Sequence, residues 1–307
     1  MNSVILVSII MSVVGVSTPI LLAALGELVV EKSGVLNLGV EGMMLIGAIS
    51  GFAVTYTTGS PWIGVIAAAF FGTLSALIFG FLTLTLTSNQ VATGLALTIF
   101  GISLSSLVGE SFTGLTIPAF GSIFPDALAD NPLLRLVFGH SPIVYFSILM
   151  TFAVSWFLGR TRSGLILRAV GENDHSAHSI GYPVIAVRYA AVAFGGAMAG
   201  IAGSFYSMML TPMWAEQLTA GRGWIALALV VFALWRPWRL FFGAYLFGLV
   251  MTLELQTKAA GYTFFPPEFM AALPYIATIV VLAAISMRRS GGTAAPACLG
   301  RPFKATT

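Results

Sequence analysis

Apolar residues run in long blocks separated by short polar interruptions. The blocks fall at about 4–26, 36–56, 62–87, 91–109, 142–158, 186–210, 223–235, 240–254 and 269–287. A helix needs about 20 residues to cross the hydrocarbon core of a bilayer, and most of these blocks suffice alone or with their flanks. The pattern predicts an all-α polytopic membrane protein of about 8–10 transmembrane helices, some of them discontinuous. The block 223–235 is short. It either borrows residues from 211–222 or is half of a broken helix. The first block lacks a basic leader and is too long for a signal-peptide core, so it is read as the first span.

Composition removes the soluble alternative. Of 307 residues, 58% are hydrophobic and 8% are charged, against roughly 25% charged in an ordinary soluble domain. The net charge of +3 matters less than its placement. Arg160, Arg162, Arg168 and Arg188 form one cluster, Arg236 and Arg239 a second, and Arg288, Arg289, Arg301 and Lys304 a third. Counting spans puts all three on one side, which the positive-inside rule makes cytoplasmic. The N-terminus is then outside and the C-terminus inside. The external loop 110–141 holds Glu110, Asp126 and Asp130 against Arg135 alone. Residues 1–289 form the permeation domain. The Gly-, Ala-, Thr- and Pro-rich tail 290–307 has no apolar period and is expected to be a disordered cytoplasmic segment.

Three polar stretches carry candidate chemistry. The run from Gly26 to Gly42 joins the first two spans and contains four glycines, as a broken or closely packed backbone requires. Asn37 and Glu41 are four apart and share a helix face. A carboxylate in a span is costly, so Glu41 faces protein or water. It either bonds a neighbouring helix or lines a polar translocation path. The second stretch, Ser88 to Gly94, includes Asn89, Gln90 and Thr93. It is a tight turn or the break of a discontinuous helix that contacts substrate.

The third stretch, Arg168 to Pro183, lies in the basic loop 159–185. Asn173 suits a helix N-cap, Asp174 the first turn and Gly181 the C′ position, with Pro183 beyond. The result is a two-turn surface helix, too short to be stable without packing. It packs on its own bundle or docks a soluble partner.

Several chemistries lack their residues. The sole cysteine, Cys298, excludes an intramolecular disulfide. His175 and His178 have no evident third metal ligand, and no cofactor is called for. No phosphate-binding GxxxxGK[ST] loop, GxSxG or HExxH occurs.

These stretches together resemble the permease subunits of ABC importers in the branched-chain amino acid and simple-sugar superfamily, most closely the nucleoside-uptake branch. The resemblance rests on Glu31, Gly34, Asn37, Leu38, Gly39, Glu41 and Gly42, on Arg168, Ala169, Gly171, Glu172 and Asn173, on Gly221 to Ala228, and on Leu273-Pro274-Tyr275. It runs from about residue 20 to about 287. This chain departs from the family at Asp174, where proline is common, and at Ala233, where glycine is usual.

The resemblance implies a division of labour. A second homologous permease would complete the pore, and a cytoplasmic ATP-binding subunit would hydrolyse ATP. An extracytoplasmic lipoprotein would deliver a nucleoside or related hydrophilic solute across the bacterial inner membrane. Gly171, Glu172, Asn173, Ala177 and Gly181 would belong to the helix that couples to the ATPase, with Ala177 allowing close approach. Asn37, Glu41, Asn89, Gln90 and Thr93 would lie on the translocation path. A sugar importer is the alternative within the class. A self-contained secondary transporter or channel, relying on carboxylates such as Glu41, is the alternative outside it. A membrane enzyme is disfavoured, because no nucleophile and base converge.

Overall fold

A computed structural model of the chain describes residues 3–118, 120–121, 124, 132–259, 269, 276 and 295–304. Eleven α-helices order the described residues: α1 Ser3–Lys32, α2 Val40–Thr58, α3 Pro61–Gly80, α4 Gln90–Gly109, α5 Pro132–Phe138, α6 Pro142–Arg160, α7 Arg162–Glu172, α8 Asp174–Ser179, α9 Val184–Phe205, α10 Arg222–Phe232 and α11 Pro237–Ala259. Single π turns extend α3 through Phe81–Thr85 and α9 through Tyr206–Leu210. Among the described residues, seven helices are long and apolar enough to cross a membrane: α1, α2, α3, α4, α6, α9 and α11.

The ambiguous block resolves as a half-helix. Helix α10 has 11 residues, a rise of about 16 Å, which is too short to span. Residues 211–221 ahead of it are not helical. Their start is tied to the segment that follows α4 by bridges from Thr113 to Trp214 and from Thr116 to Met213. The block 269–287 lies outside the described residues apart from Phe269 and Ile276.

Helix α9 is the hub and packs against α3, α2 and α1. Its glycines make the close approach possible. A Cβ on Gly200 would strike the Ala68 carbonyl, and one on Gly203 would strike that of Met44. Small residues are the usual route to tight helix contact where lipid supplies no hydrophobic drive. Hydroxyls in the spans turn back on their own helices, as Thr55, Thr83 and Thr151 do on the carbonyls of Gly51, Phe79 and Ser147. That satisfies each polar group without water. Ile66, Ile99 and Trp156 point outward from α3, α4 and α6.

Residues of all three basic clusters meet at one end of the bundle. Lys32, at the end of α1, lies in the field of Glu172, Arg168 and Arg236. The Arg188 guanidinium donates to the carbonyls of Ser33 and Arg301. Residues 295–304 of the tail are therefore structured. The Cys298 N–H donates to the Gly171 carbonyl (2.9 Å), and the Gly300 N–H to that of Gly34 (3.1 Å). The cause is backbone pairing plus a single buried ring, Phe303, and neither leaves an apolar period in the sequence.

Candidate functional site

Between Lys32 and Val40 the chain leaves helical geometry and frees its backbone groups. In a membrane each of these needs a protein partner. Gly34 takes φ +90°, which favours glycine. The Leu36 N–H donates to Gln90 Oε1 (2.8 Å) and the Asn37 N–H to Glu27 Oε1 (3.2 Å). The Gly39 N–H donates to Asn37 Oδ1 (2.9 Å), and the Leu38 carbonyl accepts from the Thr98 hydroxyl (3.0 Å). The break is thus pinned to α1 and α4 by side chains.

Glu41 opens the second half of the site from the first turn of α2. Its Oε1 accepts from the Thr219 hydroxyl and from the Gly221 N–H (2.8 Å), and its Oε2 from the Gly223 N–H. The carboxylate is 4% exposed and sits at the N-terminus of α10, where the helix dipole favours a negative charge. Gly42 and Gly223 let the elements close on it. A Cβ on Gly42 would come within 2.6 Å of the Leu97 carbonyl, and one on Gly223 within 2.7 Å of the Glu41 backbone. Helix α2 is thereby held between α4 and the half-helix. The Glu41 carboxylate thus bonds the half-helix α10 and the turn ahead of it.

The other expected path residues divide. Asn37 and Gln90 are buried at the break. Asn89 is exposed and caps α4 through the Ala92 N–H (3.0 Å), while Thr93 pairs with the Ser88 hydroxyl (2.9 Å). Ser88 and Asn89 therefore form the turn that caps α4, and Gln90 in the first turn of α4 reaches the break. Near Glu41, the Arg222 guanidinium lies 4.8 Å from the centre of the Tyr206 ring. Tyr206 Oη, Arg222 Nε and Gln90 Nε2 are buried polar atoms without a protein partner.

The basic loop forms a second assembly at the end of the bundle. The Thr161 hydroxyl caps α7 and the Asn173 carboxamide caps α8, the latter through the Ser176 N–H (2.9 Å). Gly181 takes φ +92° and closes α8 with a bond to the His178 carbonyl (2.9 Å). Glu172, Asn173 and Gly181 are exposed, whereas Gly171 and Ala177 are buried. Gly171 packs on the end of α1, since a Cβ there would strike the Lys32 carbonyl.

Ala177 corrects the expectation of a partner contact. Its side chain is 3% exposed and packs with Val170, Val184 and Phe303 of the same chain. Helix α8 exposes Ser176 and Ser179 together with His175 and His178, continued by Ile180 at 72% exposure.

Sequence reasoning missed four residues. Arg188 entered only as a topological charge, yet it is 1% exposed and pairs with Asp174 at 3.0 Å. Losing one partner of a buried pair typically costs about 3–5 kcal/mol. Glu27 anchors the break, Thr219 binds Glu41, and Trp235 donates to Glu31 Oε2 (2.6 Å). The cost of a carboxylate in a span, applied to Glu27 and Glu31 as it was to Glu41, would have flagged two of these contacts. Among the described residues, no group of three or more His, Cys, Asp or Glu could hold a metal ion.

The sequence profile of the family described as the branched-chain amino acid transport system permease component matches residues 9–282. The chain belongs to this permease family. A protein of Haloferax volcanii named as a candidate glucose ABC transporter permease is 41% identical, covering 92% of this chain and 93% of its own length. A guanosine ABC transporter permease of Bacillus subtilis is 30% identical over 94% of this chain and 93% of its own. A nucleoside ABC transporter permease of Lactococcus lactis is 29% identical over 87% and 88%. No solved structure matches the permease.

Proposed function

We propose that this permease is one pore-forming subunit of an ATP-driven, binding-protein-dependent importer for a nucleoside or a related hydrophilic solute. The observation that carries the reading is α8. It is a two-turn helix capped at both ends, held outside the spans, and it turns Ser176, Ser179 and Ile180 to solvent. A self-contained transporter has no use for such an element. A separate ATPase does, because it needs a rigid handle on the membrane subunit.

In this reading a homologous permease completes the pore, a cytoplasmic ATP-binding subunit receives α8, and an extracytoplasmic lipoprotein delivers solute. The loop 159–185 then faces the cytoplasm, as its basic residues favour, with the N-terminus outside and the C-terminus inside. Asn37, Glu41 and Gln90 frame the path, and the unspent polar atoms of Gln90, Tyr206 and Arg222 suit a hydroxyl-rich solute. Asn89 and Thr93 shape its entrance.

Nucleosides are the first solute class, because two relatives are named for them. Sugars are the second, favoured by the relative at 41% identity. Uptake by a strain deleted for this chain tests both. Guanosine uptake is expected to fall at least tenfold with glucose uptake unchanged. The reverse result establishes the sugar reading, and loss of neither contradicts the proposal.

A further inference from the structure

Residues 295–304 cross the inner face of α8 and tie it to the membrane core. Two bonds run from the segment's backbone to the end of α7 and to the α1–α2 break, through the Gly171 and Gly34 carbonyls. The Phe303 ring lies over Ala177, Val170 and Val184, with its centre 5.4 Å from that of His175 and 5.5 Å from that of His178. Helix α8 has six residues, too few to hold its own shape. Ala177 is its buried apolar side chain, and Phe303 packs on it together with Val170 and Val184.

Arg188 joins the three parts. Its Nη2 bonds Asp174 Oδ2 on α8 (3.0 Å), its Nε the Ser33 carbonyl at the break (3.2 Å), and its Nη1 the Arg301 carbonyl in the segment (3.4 Å). The break continues into Leu36 to Glu41, which Gln90, Glu27, Thr98 and the 219–223 turn hold. A displacement of α8 therefore has a packed, hydrogen-bonded route to both halves of the site.

We propose that residues 295–304 act as a strap that fastens α8 to the α1–α2 break through Arg188, so that movement of α8 is delivered to the site around Glu41. This inference rests on the reading of α8 as the element that meets the ATPase. Phe303 is a positioning residue in this arrangement. The outward face of α8 stays free for the partner.

Cys298 supplies the probe. It is the one cysteine of the sequence, it lies within the strap and is buried where the strap meets the end of α7, and burial pushes its thiol up from the usual value. Both effects slow alkylation, which needs the thiolate. The assembled importer is treated with a membrane-impermeant maleimide, and labelling of this chain is followed with substrate-stimulated ATP hydrolysis.

In wild-type inside-out vesicles Cys298 is expected to label at least tenfold more slowly than in denatured protein, and not at all in right-side-out vesicles. Phe303→Ala is expected to bring labelling to within threefold of the denatured rate and to cut hydrolysis at least fivefold. The ATPase should still co-purify, and Phe303→Leu should restore both readings. The strap is overturned if wild-type Cys298 labels as fast as denatured protein, or if Phe303→Ala exposes Cys298 with hydrolysis unchanged or raised. The latter result would make the segment a passive cover or an inhibitory latch. Failure of the importer reading looks different: no ATPase co-purifies with the wild-type chain.

Discussion

Replacing Ile180 with glutamate is expected to reduce the ATPase subunit recovered with the permease at least tenfold while insertion of the permease stays at the wild-type level. Ile180 is a large apolar side chain at 72% exposure, beside Ser176 and Ser179 on the outward face of α8. Burying such a side chain against a partner contributes roughly 1.5–3 kcal/mol. A glutamate loses that contribution and adds the cost of desolvating a charge. At about 1.4 kcal/mol per decade, the sum exceeds tenfold in association. The spans are not involved, because Ile180 packs in neither apolar cluster of the chain. Ala177 does not serve this test. An arginine there would displace Phe303 and damage the permease itself. Affinity purification from membranes, quantified for both subunits, gives the answer. Wild-type recovery of the ATPase with Ile180→Glu would remove α8 as the docking element.

Glu41→Gln has the second large expected effect, and its sign follows from donor counting. The carboxylate accepts three bonds, from Thr219, Gly221 and Gly223. A carboxamide has one accepting oxygen. Its amino group must then face at least one N–H or O–H donor, leaving buried donors opposed. Hydrogen bonds to a charged group contribute about 1.5–3 kcal/mol each, and a buried unsatisfied donor costs about 1–3 kcal/mol. A loss on the order of 3 kcal/mol is therefore expected for the contact between α2 and the half-helix α10. Melting of the purified permease in detergent should shift down by several degrees, and uptake should fall at least tenfold. Loss of uptake with an unchanged melting curve would instead make Glu41 a group that handles solute directly. Wild-type melting and uptake together would contradict the contacts described for it.

The span pattern was legible because bilayer thickness sets a length that hydropathy reports directly. Of the nine blocks, seven are long helices among the described residues, 223–235 holds the half-helix α10, and 269–287 lies outside them apart from Phe269 and Ile276. Asn37 and Glu41 were legible for a related reason, since a polar group in a span must have a partner. The partners themselves were not. Gln90 and Thr219 lie far along the chain from the groups they bind, and no periodicity encodes such a pairing. The caps Asn173 and Gly181 acted locally, so residue type alone located α8. The inward face of Ala177 depended on Phe303, in a segment whose composition suggested disorder. Arg188 read as one of many basic residues, because charge placement indicates a side of the membrane and says nothing about three carbonyl and carboxylate acceptors converging on one guanidinium.

The source of energy separates an ATP-driven importer from a self-contained transporter. The permease is reconstituted into proteoliposomes with its sister subunit and ATPase, and the lipoprotein is supplied outside. Radiolabelled solute is then followed against time. Accumulation is expected to require enclosed ATP and hydrolysis, to persist when ionophores collapse every ion gradient, and to be absent when the ATPase is left out. Accumulation by this chain alone, driven by an imposed ion gradient and indifferent to ATP, would contradict the importer reading.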